Sequence, residues 1–273
     1  MIVVKLIGGL GNQMFQYAAA KAIAIERNQP LELDVSAFDH YKLHQFALHH
    51  FNFSAKVFRP RHILWDKVRS LFIKILHYKE RDFGFNARIF DLKADDLYLD
   101  GYFQSEKYFL KHSSTIRREF EIISSLKPQT LKVLEEIRNT NSVSLHIRRG
   151  DYVGNPLHGT DNELFYRKAL GFIETKIENP KLFVFSDDTL WAKQNFKSKH
   201  EVIFIDFNDA LSNFEDIKLM SCCKHNIIAN SSFSWWGAWL NDNPGKLVVA
   251  PQQWFNDKSI NTSDLIPENW IRF

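Results

Sequence analysis

The chain has 273 residues, 45% of them hydrophobic and 25% charged, and a net charge of +3. That length holds one large or two modest globular domains, and so small a charge with no Lys/Arg-rich motif excludes nucleic acid as the expected partner while leaving room for a basic site that takes an anion. The only cysteines, Cys222 and Cys223, are neighbours with no His or Cys at zinc spacing, which excludes a disulfide framework and a zinc site and points to a reducing compartment.

Residues 1–24 are apolar but interrupted by Lys5, three glycines, Asn12 and two glutamines. Neither a signal peptide nor a membrane span is read there, and a cytoplasmic location is expected. Residues 2–7 form a nearly continuous apolar run, the pattern of a buried parallel strand. Gly8-Gly9-Leu10-Gly11-Asn12-Gln13 follows as a tight loop, residues 14–27 as an alanine-rich helix ended by Asn28 and Pro30, and residues 31–35 as a second strand. This is a βαβ opening of the doubly wound type. The stretch 37–86 is irregular and rich in His and Phe. Within it, residues 63–77 read as a helix with Leu64, Val68, Leu71, Phe72 and Ile75 on one face. Between residues 59 and 81, seven Lys/Arg stand against two acids. A solvated outer face over a buried stripe is the commoner meaning of such a pattern. Peripheral contact with the anionic inner face of a membrane is the hypothesis beside it, and liposome co-sedimentation without a preference for anionic lipid would end it.

Residues 97–103 read as a strand, and 106–112 and 125–138 as helices. The polar break Asn139-Thr140-Asn141 is taken as a domain boundary, giving domains of residues 1–140 and 141–273. Short apolar runs then recur at 143–147, 182–185, 202–205, 226–229 and 247–250, separated by helical segments at 162–177, 189–196, 210–223 and 232–240. Strands and helices alternating at this spacing predict a parallel sheet covered on both faces. Two such halves, each with a ligand-binding loop, predict a cleft between them.

The chemistry sits at the strand ends. Gly9-x-Gly11 after a strand, with Asp34 at the tip of the next, resembles the start of the dinucleotide fingerprint of an NAD-type oxidoreductase. Met14 stands where the third glycine is required, however, and no Gly-Lys-Ser/Thr of a P-loop occurs. The loop is read instead as bringing backbone amides of Gly9 and Gly11 and the Asn12 carboxamide to the cleft, with a plain tight turn as the alternative. Ser144-Leu145-His146-Ile147-Arg148-Arg149-Gly150-Asp151-Tyr152 is a strand that ends in two guanidiniums. Strand carboxyl ends are where ligands bind in open α/β sheets, and Arg grips phosphate through a planar fork. The pair is either a diphosphate clamp or two ordinary ion pairs with surface acids. In Phe185-Ser186-Asp187-Asp188 the acids bind metal, hydrogen-bond a base or ribose, or cap the next helix; no Asp-x-Asp triplet favours metal. In Asn230-Ser231-Ser232-Phe233-Ser234-Trp235-Trp236-Gly237, Ser231 or Ser232 caps a helix whose first-turn amides suit a phosphate. Trp235 and Trp236 are core residues first. The three loops together describe a nucleotide-diphosphate site of cations, hydroxyls and amides, able to stabilise a departing diphosphate as Mg²⁺ does elsewhere.

Residues 8–17, His146-Ile147-Arg148-Arg149-Gly150-Asp151-Tyr152, Phe185-Ser186-Asp187 and Ser231-Ser232-Phe233-Ser234-Trp235-Trp236 resemble, in order, the motif set of the α-1,2-fucosyltransferases of glycosyltransferase family 11. His158-Gly159 followed by Phe165-Tyr166 is similar to the segment that follows the arginine motif in that family. The resemblance implies an α/β fold of two Rossmann-like domains facing a cleft (GT-B-like), with the parallel sheet of the C-terminal domain holding the donor GDP-fucose. It implies inverting transfer from GDP-β-L-fucose to the 2-hydroxyl of galactose, with no cofactor and no metal. The acceptor would be a galactose-terminated oligosaccharide or a lipid-linked glycan, in O-antigen or surface-glycan synthesis, and the chain without an anchor would be bacterial. Carried over, Arg148, Asp151 and Asn12 are the catalytic residues. Arg148, Arg149, His146, Asp187, Ser231 and Ser232 would bind the donor, together with Gly9 and Gly11. Asp151 is the first choice of general base or else orients Arg148, with His146 and Asp39 behind it. The rival readings are the NAD-type oxidoreductase and a non-catalytic nucleotide-sugar-binding or membrane-scaffold protein.

Overall fold

The structure, a computed structural model, describes residues 1–58, 75–159 and 163–273, apart from the side chain of Asp151. The chain forms two compact units: Met1–Ser124 with Asn261–Pro267, and Ser125–Ile260 with Glu268–Phe273.

The first unit is built on β1 (Ile2–Lys5), α1 (Leu10–Glu26), β2 (Leu31–Asp34), β3 (Lys56–Phe58), β4 (Ile75–Lys79), β5 (Asp96–Asp100) and α2 (Ser113–Glu119). Its sheet runs β3-β2-β1-β5-β4 with every pairing parallel. Ile2 and Val4 are fully buried, as a central parallel strand requires. Ala18, Ala19, Ala20 and Ala22 are fully buried too, so small side chains let α1 lie close to the sheet. The segment Asn261–Pro267 belongs to this unit through Asp264, which accepts from the Phe85 amide at 2.9 Å and pairs with Lys107 Nζ at 2.7 Å.

The second unit alternates α3 (Pro128–Arg138), β6 (Ser142–Ile147), α4 (Glu163–Glu174), β7 (Lys181–Ser186), α5 (Thr189–Asn195), β8 (Val202–Ile205), α6 (Asn213–Cys222), β9 (His225–Ile227), α7 (Ser232–Leu240), β10 (Val248–Ala250) and β11 (Ile271–Arg272). Its sheet is parallel throughout, in the order β11-β10-β9-β6-β7-β8. Helices cover both faces. Phe165, Ala169 and Ile173 of α4 pack with Val143, Leu145 and Val184 on one, while Val133, Leu134 and Ile137 of α3 pack with Phe183, Phe185 and Leu219 on the other.

Strand order fixes where each unit can hold a ligand. From β1 the chain builds β2 and β3 to one side and later returns to place β5 on the other. From β6 it builds β7 and β8 to one side and then sets β9 on the other. The topological switch points, where crevices open at strand carboxyl ends, are therefore β1/β5 and β6/β9.

The expected α/β class with parallel sheets is observed, and several boundaries differ. The unit boundary precedes residue 140 because α3 is packed into the core of the second sheet. Helix α1 begins at Leu10, so Gly11, Asn12 and Gln13 are helical and not part of a loop. Gly9 is its N-cap, and its carbonyl accepts from the amides of Asn12 at 3.0 Å and Gln13 at 3.1 Å. Residues 106–112 form two 3-10 turns ahead of α2. Of the helix expected at 63–77, the last three residues belong to strand β4 and the rest lies outside the described residues, as does most of the basic stretch 59–81. Among the described residues, no helix is long and apolar enough to cross a membrane.

Candidate active site

The site in the second unit is built outward from β6, all six of whose residues are buried. Arg148 follows the strand. Its Nη1 meets Asp187 Oδ2 at 3.0 Å, and its guanidinium carbon lies 5.1 Å from the centre of the Tyr152 ring. The other oxygen of Asp187 accepts from the Arg149 backbone amide at 2.9 Å. One carboxylate at the tip of β7 thus fixes both the backbone and the charge at the tip of β6. Gly150 permits this, since a Cβ there would collide with the Asp187 carboxylate. Asp188 does something different: its side chain accepts from the Trp191 amide at 3.1 Å and caps α5. Of the readings given for the acid pair, capping is met by Asp188, while Asp187 is the ion-pair partner of Arg148.

Arg149, which leaves the extended conformation at φ -135° and ψ -68°, sends its side chain to a different partner. Its guanidinium carbon lies 3.8 Å from the centre of the Trp191 ring, and its Nε is 3.7 Å from Asp188. A cavity of about 810 Å³ opens on this side, lined among others by both arginines, Tyr166, Arg167, Trp191 and Lys199. The serines of α7 are not among its walls, so it adjoins the arginines from the α4/α5 side and not from the β6/β9 switch point.

At the β9 tip, Ser231 is the N-cap of α7, its Oγ accepting from the Phe233 amide at 3.3 Å, and Ser232 is the first helical residue. Tyr152 ties the two tips together by donating its hydroxyl to the Asn230 carbonyl at 3.1 Å. The Tyr152 ring is stacked on His158 at 3.9 Å, with the planes 10° apart. The backbone of Asp151 belongs to the 3-10 turn Gly150–Tyr152, and its side chain lies outside the described residues.

His146 departs from its expected role. It is 3% exposed, its ring lies 5.8 Å from that of Phe233, and burial together with the Arg148 charge pushes its pKa down to about 3. It is a buried, neutral histidine beneath the Arg148 tip. Its carbonyl accepts from Tyr166 Oη at 2.8 Å. Burial raises the Tyr166 phenol, which stays protonated.

In the first unit, Gly8 takes φ +87°, a conformation that suits glycine, and Asn12 Nδ2 lies 2.7 Å from where a Cβ on Gly8 would stand. The Asn12 side chain folds back over this turn, and its Oδ1 accepts from Gln104 Nε2 at 2.8 Å. Gln13 is fully buried. Its amide group donates to the carbonyls of Gly8 at 2.9 Å and Gln45 at 2.8 Å, and its oxygen accepts from the Ala47 amide at 2.9 Å. The Gly8–Gln13 segment is thus a braced helix start, not a plain turn. Met14, buried where a nucleotide fingerprint needs glycine, closes off the oxidoreductase alternative on packing grounds. Gln104 was not singled out by sequence, while Gln13 and Tyr152 lay inside the glycine-rich and arginine motifs without a role of their own.

Similarity to known proteins follows this geometry. The model of glycosyl transferase family 11 matches residues 1–273. An α-1,2-colitosyltransferase of Escherichia coli is 35% identical over 100% of this chain and 98% of its own. The O-antigen biosynthesis glycosyltransferase WbnK of Escherichia coli is 34% identical over 97% of this chain and 98% of its own. Among solved structures, the α-1,6-fucosyltransferase NodZ, known from Bradyrhizobium and soaked with GDP-fucose, superposes with a TM-score of 0.54 at 16% identity, covering 88% of this chain and 92% of NodZ. The fold is therefore that of GT-B-like fucosyltransferases, and the chain belongs to glycosyl transferase family 11.

Proposed function

We propose that the chain is an inverting α-1,2-fucosyltransferase that moves L-fucose from GDP-β-L-fucose to the 2-hydroxyl of a β-galactoside during assembly of a bacterial surface glycan such as O-antigen. The observation that carries the reading is the guanidinium of Arg148, held by Asp187 and lying over Tyr152, whose hydroxyl bonds the Asn230 carbonyl ahead of the capped start of α7. A diphosphate there would meet a fixed cation, the serine hydroxyls and the positive end of a helix dipole.

In this reading the bond from fucose C1 to the diphosphate oxygen lengthens first, positive charge builds on the sugar ring, and the acceptor hydroxyl attacks from the opposite face. Negative charge growing on the leaving GDP is the largest quantity to be stabilised, and a preorganised donor contributes about 3–4 kcal/mol to that. Arg148 and the α7 amides supply it without a metal ion; Arg149, spread on Trp191, holds the loop that carries Arg148. Asp151 takes the proton of the attacking hydroxyl, and Asn12 orients the sugars.

Steady-state GDP release from GDP-fucose, in EDTA and with β-galactosides, tests the proposal. Acceptor-dependent turnover that Asp151→Asn abolishes is expected. Binding of GDP-fucose without transfer would leave a nucleotide-sugar-binding protein, and no binding at all would remove the reading. The likeness to an α-1,2-colitosyltransferase favours a second donor. Colitose is fucose without its 3-hydroxyl, so GDP-colitose in the same assay decides between them: the true donor has the higher kcat/KM.

A further inference from the structure

The β1/β5 switch point of the first unit holds a polar device for which the donor chemistry has no use. The start of α1, which follows β1, and the loop that follows β5 are joined across this crevice by a side-chain hydrogen bond, from Gln104 Nε2 to Asn12 Oδ1 at 2.8 Å. The chain leading to Gln104 is strained to make it. Phe103 is fully buried and holds φ +52°, a left-handed conformation that a non-glycine residue adopts only when its surroundings impose it. Glu80 does the imposing: its carboxylate accepts from the amides of Tyr102 at 2.6 Å and Phe103 at 3.0 Å. That turn folds Gln104 back towards α1.

We propose that Gln104 is a positioning residue for transfer, which fixes the orientation of the Asn12 carboxamide and accepts a hydroxyl of the neutral sugar with its own Oε1. The inference rests on the transferase reading and extends it to the first unit. Two directional facts support it. With Gln104 donating into Asn12 Oδ1, the pair of carboxamides hold each other's orientation at the start of α1. Gln104 is 7% exposed, yet its Oε1 is not among the buried atoms that lack a partner, and among the described residues no protein donor reaches it; it is an acceptor at the surface. The surrounding charges point to an uncharged ligand. Lys5 pairs with Asp100 at 3.2 Å, and Glu80 is spent on backbone amides. Beside these paired charges and the His44 ring against Gly9, the switch point presents a carboxamide pair, which matches the mixed donors and acceptors of sugar hydroxyls.

The test uses the full chain with Gln104→Met, of similar length but unable to hydrogen-bond, beside Asn12→Ala and the double variant. Gln104→Met is expected to lower kcat/KM for transfer about tenfold or more, while the Kd for GDP and the Tm stay at wild-type values. The double variant is expected to lose more than Asn12→Ala alone but less than the product of the two single losses, because Gln104 acts in part through Asn12. Turnover of Gln104→Met within threefold of wild type would overturn the proposal, and so would independent, multiplicative losses in the double variant or a parallel loss of GDP affinity. A wild-type chain inactive with every donor would instead overturn the transferase reading itself.

Discussion

Arg148 concentrates the account at the scale of the residue. Its guanidinium is held on one side by the Asp187 carboxylate and lies against the Tyr152 ring, so its rotamer is chosen before any ligand arrives. A fixed cation costs little reorganisation when charge develops, which is why such groups act on the transition state more than on binding. Arg148→Ala is therefore expected to lower kcat about 100-fold or more while the KM of the acceptor changes little. Arg148→Lys should not restore activity, because a single ammonium cannot both pair with Asp187 and face a diphosphate. Turnover of either variant within a few-fold of wild type would contradict the assignment. His146, two residues away, contributes differently. With its pKa depressed to about 3 by burial and by Arg148, it contributes stability that is present above the ordinary histidine range and is lost progressively as pH falls towards 3.

Elements place these residues, and their legibility in the sequence varies with their burial. β6, β7 and β9 lie inside a covered parallel sheet; residues 182–185 of β7 read as an unbroken apolar run, β6 and β9 as short runs interrupted by the buried polar Ser144, His146 and Asn226, and the motif at each tip was located with its strand. β4 is an edge strand whose burial alternates weakly, and its residues joined a helical stripe in the sequence. The start of α1 was obscured by residues of poor helix propensity, Gly11 and Asn12, whose helical state is set by tertiary hydrogen bonds such as those of Gln13 to residues 45 and 47. Gln104 carried no local signal, since its partner is 92 residues away. One element also carries a pH dependence. Asp216, in the first turn of α6, is bonded by Asn208 Nδ2 at 2.6 Å, and burial pushes its pKa up to about 7. The folded chain therefore holds this proton more tightly than the unfolded chain. The resulting stability is full below the ordinary carboxylate range and is lost as pH rises to about 7. Tm is expected to fall by several degrees between pH 5 and pH 8, and Asp216→Asn should flatten that decline. Identical pH profiles for the two proteins would contradict it.

At the scale of the molecule, two parallel α/β units each present a switch point with distinct chemistry. The second offers a cation and helix amides, suited to a nucleotide diphosphate. The first offers a carboxamide pair among neutralised charges, suited to sugar hydroxyls. Membership of glycosyl transferase family 11 fits a division of labour between donor and acceptor. The linkage and configuration of the product report on the transfer reaction itself. NMR of the material formed from GDP-β-L-fucose and a β-galactoside should show one new α-fucosyl anomeric signal, correlated with carbon 2 of galactose. A β-configured product, or linkage to another carbon, would contradict the account.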